Sequence, residues 1–135
     1  MATTPLSILA AHEARAMPPA LPLLAREVAG FAATRIRATF APPVRLDVEG
    51  RGQNVFVIPG FLASDRTTAR LRRSLDEAGF RAHGWGLGRN GGVSADLFEQ
   101  IDRQFDHNEI DSPATLVGWS LGGVIAREYA KRSPH

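Results

Sequence analysis

Ala114-Thr115-Leu116-Val117-Gly118-Trp119-Ser120-Leu121-Gly122-Gly123 joins a short apolar run to a helix-like segment through Gly-x-Ser-x-Gly. The pattern predicts a strand, a sharp turn and a helix, with the serine lifted out of the turn as a nucleophile elbow. The spacing has a steric cause. Glycines two residues before and two after Ser120 remove side chains that would collide in so tight a turn. Ser120 then stands at the N-terminus of the next helix, where free N–H groups and the helix dipole favour developing negative charge. The plainer alternative is a βα turn with a helix-capping serine.

Working outward, Asn54-Val55-Phe56-Val57-Ile58-Pro59 is a near-continuous apolar run, the mark of a strand buried on both faces. It runs into Gly60-Phe61-Leu62. A glycine just past a strand tip lets the backbone turn and present N–H groups. Acyl transfer needs such donors, aimed at the oxygen that becomes negative in the tetrahedral intermediate. With Gly60 at the tip, the N–H groups of Phe61 and Leu121 would form an oxyanion hole. Read alone, Pro59-Gly60 is an ordinary turn. Between the two motifs, Asp65 to Ala78 reads as a helix with Ala69, Leu71, Leu75 and Ala78 toward the core and Gly79 as its C-terminal cap. Phe80 to Leu87 is a weaker strand and Gly88 to Gly92 a loop. Ser94 is expected to cap a helix through about Phe105, with Leu97, Phe98, Ile101 and Phe105 on one stripe. Asp106 to Pro113 is a polar turn region, and the helix after the elbow runs from Leu121 to about Arg132.

Upstream, Val44 to Val48 alternates as a half-buried strand would, and Gly50-Arg51-Gly52 is a turn. Leu21 to Phe40 reads as a helix, with Leu24, Val28, Phe31, Ala32, Ile36 and Phe40 near one apolar face for the core or a partner; an interfacial helix approaching lipid is the alternative. Leu6 to Met17 is a candidate short helix. The alternation of strands and helices from residue 44 implies an α/β fold, a parallel sheet flanked by helices. Residues 1–43 form an N-terminal helical segment and residues 44–135 the α/β domain.

The stretch from Asn54 to Pro134 resembles the N-terminal half of an α/β-hydrolase of the bacterial lipase and esterase kind. The resemblance rests on Val57-Ile58-Pro59-Gly60-Phe61, on Trp85-Gly86-Leu87-Gly88-Arg89-Asn90 and on Leu116 to Gly123. It implies that Ser120 is the nucleophile and that Phe61 and Leu121 are the oxyanion donors. It also implies that the Asn54 strand lies between the Phe80 and Thr115 strands. Pro59 stands where many relatives have histidine, which a backbone donor tolerates. The implied lineage is a serine hydrolase cleaving a small-molecule acyl ester or a lipid, without a cofactor. In the family's order the catalytic acid and histidine follow the serine. Leu121 to His135 supplies no such pair. The expectation is therefore a sheet truncated after the elbow helix, a fragment or a protein of low activity. The alternative is a non-catalytic, hydrolase-like binding or interaction module. An acyltransferase or thioesterase on the same fold stays open.

Other residues do not fill the gap. Asp96, Asp102, Asp106 and Asp111 all precede Ser120, as do His12, His83 and His107, and His135 would end a helix leading away from the active edge. Asp102 is expected to be solvated on a helix body and His83 to be structural, inside a strand. Without a base, a serine hydroxyl is a poor nucleophile. Gly86-Leu87-Gly88-Arg89-Asn90-Gly91 matches Gly-x-Gly-x-x-Gly, but the acidic residue a dinucleotide site wants after the next strand is missing. The loop reads instead as the rim of a cleft, with Arg89 and Asn90 as polar contacts.

Composition sets the remaining bounds. The chain has 135 residues, 44% hydrophobic and 22% charged, ordinary values for a globular protein. A net charge of +2 gives no argument for nucleic acid, and Arg70, Arg72 and Arg73 read as a solvated helix face. Cysteine is absent, so disulfides and thiolate metal sites are excluded; no metal-ligand pattern is present. No stretch reaches the length of a transmembrane segment and no signal peptide is legible, so a cytoplasmic location is expected. With no strand beyond Thr115-Leu116-Val117, that strand is expected to be an open edge, given to self-association or covered by the Leu21–Phe40 helix.

Overall fold

The computed structural model describes residues 20–132 and, for residues 35, 36 and 38–40, the backbone only. The Leu6–Met17 segment, His12 and His135 lie outside the described residues. Contacts divide the chain into two units, Met1–Ala33 and Thr34–His135, and the sheet with its helices lies in the second. Helix α1 (Leu21–Phe40) spans the division. Pro42-Pro43 follow it, and proline cannot continue a helix.

Strand β1 (Asn54–Ile58) is the centre of a parallel sheet ordered β2-β1-β3, between β2 (Arg81–Gly84) and β3 (Ala114–Gly118). This is the order the resemblance implied. All five β1 residues are buried, which is why their run carries no polar alternation. The register sets Val57 opposite Gly84 and Ile58 opposite Gly118, so the strands end at a common edge.

Successive strand side chains point to opposite faces. Phe56 and Ile58 enter one core with Ile101 and Phe105 of helix α3 (Leu97–His107) and Ile125 and Tyr129 of helix α4 (Leu121–Ala130). Its aromatic rings meet tilted, Phe56 to Phe105 at 4.9 Å and Phe105 to Tyr129 at 5.7 Å between centroids. Val57 faces the other way, toward Thr68 and Leu71 of helix α2 (Asp65–Glu77). The sheet is thus covered on both faces.

Four local expectations are corrected. Val44 to Val48 is irregular, not a strand. Its first N–H goes to the Ser74 hydroxyl at 2.8 Å, and Gly50 and Gly52 bond to the end of α2 through Ala78 and Gly79, so no strand ladder claims this segment. Leu71 is 41% exposed; the buried residues of α2 are Thr68 and Ser74. Ser74 is satisfied in place, donating to the Arg70 carbonyl and accepting from Val44. Finally, α3 begins at Leu97 with Asp96 in the cap position; Ser94 instead donates to the Asp96 carboxylate at 2.7 Å. The strand expected over Phe80 to Leu87 is confined to Arg81–Gly84, because Trp85 and Gly86 give their N–H groups to Asp65.

Candidate active site

Ser120 sits between the last residue of β3 and the first of α4, with φ 54° and ψ −127°. A non-glycine residue in this left-handed region costs on the order of 1–3 kcal/mol and persists only where its surroundings over-determine it. Those surroundings are glycines. A Cβ on Gly118 would collide with the Gly122 carbonyl, and one on Gly122 with the Ile58 carbonyl oxygen. The start of α4 therefore packs directly on the tip of β1. Ser120 is exposed, and its hydroxyl makes no cap bond to α4. The capping-serine alternative is thus without support in the geometry.

The loop after β1 lies against the elbow. A Cβ on Gly60 would stand 3.0 Å from the Trp119 indole nitrogen and 3.2 Å from its carbonyl oxygen. Gly60 to Ala63 forms a tight turn closed by Ala63 N–H to Gly60 C=O at 3.0 Å, with Leu62 at φ 57°. Among the described residues, neither the Phe61 N–H nor the Leu121 N–H is spent on a hydrogen bond within the protein. Loop and elbow are therefore adjacent, and each carries an uncommitted backbone donor.

The glycine-rich loop is part of this scaffold. The Asp65 carboxylate accepts the Trp85 and Gly86 N–H groups, each at 3.0 Å, and the Trp85 indole donates to the Gly88 carbonyl at 2.9 Å. Asn90 is not a rim contact: its side chain is 0% exposed. Its Nδ2 donates to the Pro59 carbonyl at 2.7 Å and its Oδ1 accepts the Gly92 N–H at 3.1 Å. Its backbone exchanges two further bonds with the loop after β1, accepting from Leu62 and donating to Ala63, both at 2.8 Å. Sequence reasoning missed this role. The available signal was an asparagine between glycines, which reads equally well as a turn. Arg89 is exposed. Gly86 to Gly91 does not open a helix, since α3 starts only at Leu97, so the dinucleotide pattern lacks its phosphate-binding helix terminus.

No described histidine stands near Ser120. The His83 Nε2 meets the Asn54 Oδ1 at 2.9 Å, and Asn54 begins β1, at the end of the strand away from the elbow. Asn54 in turn donates to the Ser112 hydroxyl at 2.9 Å, so the three side chains clasp that edge of the sheet. His107 ends α3, before the turn that feeds the start of β3. Asp102 accepts the Tyr129 hydroxyl at 2.5 Å, a structural partner that the sequence did not reveal. Asp96 is held below the usual carboxylate range by hydrogen bonds from Ser94 and then Gln100. Asp106 and Asp111 are exposed. Among the described residues no group of His, Asp and Glu could hold a metal ion, and no helix is long and apolar enough to cross a membrane.

The chain is 31% identical over 88 residues to a pimeloyl-acyl-carrier-protein methyl ester esterase of Shewanella woodyi, an alignment covering 63% of this chain and 33% of the relative. It is 28% identical over 98 residues to the enzyme of that name from Shewanella sp. (strain MR-7), covering 69% of this chain and 35% of the relative. The chain spans about a third of the length of the curated relatives it matches. No family model and no solved structure matches it.

Proposed function

Because the chain belongs to the α/β-hydrolase superfamily and is related to ester-hydrolysing enzymes, we propose that its site acts on carboxylic esters with Ser120 as nucleophile. The observation that carries this reading is the exposed, left-handed Ser120 between β3 and α4, beside a loop with an uncommitted N–H. In the reaction, Ser120 Oγ would bond to the ester carbonyl carbon. The carbonyl oxygen would take the negative charge, held by the Phe61 N–H of the loop after β1 and the Leu121 N–H at the start of α4. Collapse would expel the alcohol and leave an acyl-serine for water to cleave.

The Oγ proton must leave in the first step, and no described side chain at this edge takes it, so solvent water would accept it and would return a proton to the leaving alkoxide as the alcohol departs. Acylation is accordingly slow. Catalysis without a complete triad retains roughly 10³–10⁴-fold over water. The test is p-nitrophenyl acetate with intact-mass and peptide mapping, comparing the chain with Ser120→Ala. We expect slow p-nitrophenol release with an acetyl group on Ser120, absent from the variant. Equal release and no acyl-serine would leave the alternative, a hydrolase-like binding module. The relatives are methyl ester esterases, which recommends a simple acyl methyl ester as a second substrate. A lipid ester and self-association through β3 belong to the same proposal; the second is tested by light scattering, argued below.

A further inference from the structure

We propose that Asn90 is a positioning residue for the oxyanion donor at Phe61, an inference that rests on the acyl-transfer reading above. The Phe61 N–H belongs to the peptide between Gly60 and Phe61. Asn90 grips the chain on both sides of that peptide. Before it, Nδ2 holds the Pro59 carbonyl at 2.7 Å. After it, the Asn90 carbonyl holds the Leu62 N–H and the Asn90 N–H holds the Ala63 carbonyl, both at 2.8 Å. Within the bracketed segment the Leu62 and Ala63 N–H groups are taken, and among the described residues the Phe61 N–H is left with no bond inside the protein, as is that of Gly60.

The turn needs such a grip. Leu62 has φ 57°, which a leucine adopts only under constraint. A relaxed turn would rotate the peptides around Phe61 and swing its N–H. Asn90 itself is fixed by the bond from the Gly92 N–H to its Oδ1, so the carboxamide cannot turn away from Pro59. A buried amide is costly unless both ends are bonded, and here both are. An apolar residue of the same size would fill the space but leave the Pro59 carbonyl unpaired. The loop meets Trp119, the neighbour of Ser120, through Gly60, so an error in its placement is passed directly to the reacting centre.

The test compares the full chain with Asn90→Ala, Asn90→Asp and Ser120→Ala. Amide hydrogen exchange reads the turn, and p-nitrophenyl acetate kinetics read its consequence. In Asn90→Ala the Leu62 amide should exchange at least ~10-fold faster while the β1 amides keep their protection. The serine-dependent kcat should fall roughly 10- to 100-fold with KM nearly unchanged, since the donor matters in the transition state. In Asn90→Asp the protonated carboxyl can donate to Pro59, so its kcat relative to wild type should recover from about pH 8 to about pH 5. Unchanged Leu62 exchange, or a loosened turn with unchanged kcat, would overturn the role. If Asn90→Ala loses β1 protection it has unfolded, and the pH dependence of Asn90→Asp then decides alone. A wild type no faster than Ser120→Ala overturns the nucleophile reading, and the positioning role with it. Serine-dependent turnover that is indifferent to Asn90 overturns only the latter.

Discussion

Gly122 stands where α4 meets the tip of β1, and a Cβ there would run into the Ile58 carbonyl and lie 2.7 Å from the Pro59 carbonyl oxygen. Neither oxygen can yield, because both belong to the strand end and the loop that Asn90 holds. Gly122→Ala should therefore destabilise the chain by about 1–3 kcal/mol in urea unfolding, the usual range for overpacking. Gly91→Ala, where a Cβ meets nothing within 4 Å, is the control and should be near neutral. Equal effects would mean that the elbow glycines serve only chain flexibility. This steric role was legible in the sequence, because close packing at an elbow leaves a spacing of glycines. The role of Asn90 was not, since nothing in its local sequence says that Pro59, 31 residues away, lies against it. His83 gives a residue-scale prediction in pH. Burial pushes the ring below its ordinary 6.5; a hydrogen bond with Asn108 opposes this, Arg81 adds to it and Asp76 opposes it. The unfolded chain then binds the proton more readily than the folded one. The contribution is complete above pH 6.5 and is lost as pH falls through the lowered folded value. The urea midpoint should drop on acidification from about pH 6.5 down to that lowered value, and His83→Gln should flatten the drop. An identical profile in the variant would assign the acid sensitivity elsewhere.

At the scale of elements, pattern succeeded where burial alone sets the residue type and failed where a partner decides. The apolar run of β1 and the Leu97, Ile101, Phe105 stripe of α3 were readable because each residue answers to one buried face. Val44 to Val48 has the alternation of a strand, but alternation does not supply a neighbour, and its first N–H found the Ser74 hydroxyl instead. Ser94 has the chemistry of a cap, yet Asp96 lies closer to the first turn. The same logic identifies what ends β2. Asp65, in the first turn of α2, takes the next two N–H groups on its separate carboxylate oxygens, Trp85 on Oδ1 and Gly86 on Oδ2. Asp65→Asn keeps one acceptor and turns an NH₂ toward the other N–H, so an isosteric change should be nearly as harmful as Asp65→Ala. Hydrogen bonds to a charged group contribute about 1.5–3 kcal/mol, and a loss of that order is expected for both. A fully tolerated Asp65→Asn in thermal unfolding would show that the loop after β2 is held mainly by the Trp85 indole.

For the whole molecule, the placement of β3 has the widest consequence. Among the described residues it pairs only with β1, so one side of its backbone ladder is left without a strand. Parallel sheets normally have both faces and most edges covered, because an unpaired row of N–H and C=O groups is a template for another strand. Here the edge adjoins a cavity of about 420 Å³ bounded by Ala114, Leu116 and Gly118 of β3 and by Gly123, Ala126 and Ala130 of α4. Apart from Leu116 these side chains are small, so another backbone can come close. Charge does little to prevent it: Arg127 is the one charged side chain on the rim. The expectation is association through this edge, seen in light scattering as a mass that rises with protein concentration. Thr115 is exposed on β3, so Thr115→Lys adds a charge to the edge without entering the core, the device by which natural edge strands resist pairing. That variant should hold the single-chain mass at concentrations where the parent does not. If both remain monomeric, the edge is already covered within the chain and the sheet has more neighbours than the described residues reveal. If both associate equally, the contact lies elsewhere and the proposed role of β3 is wrong.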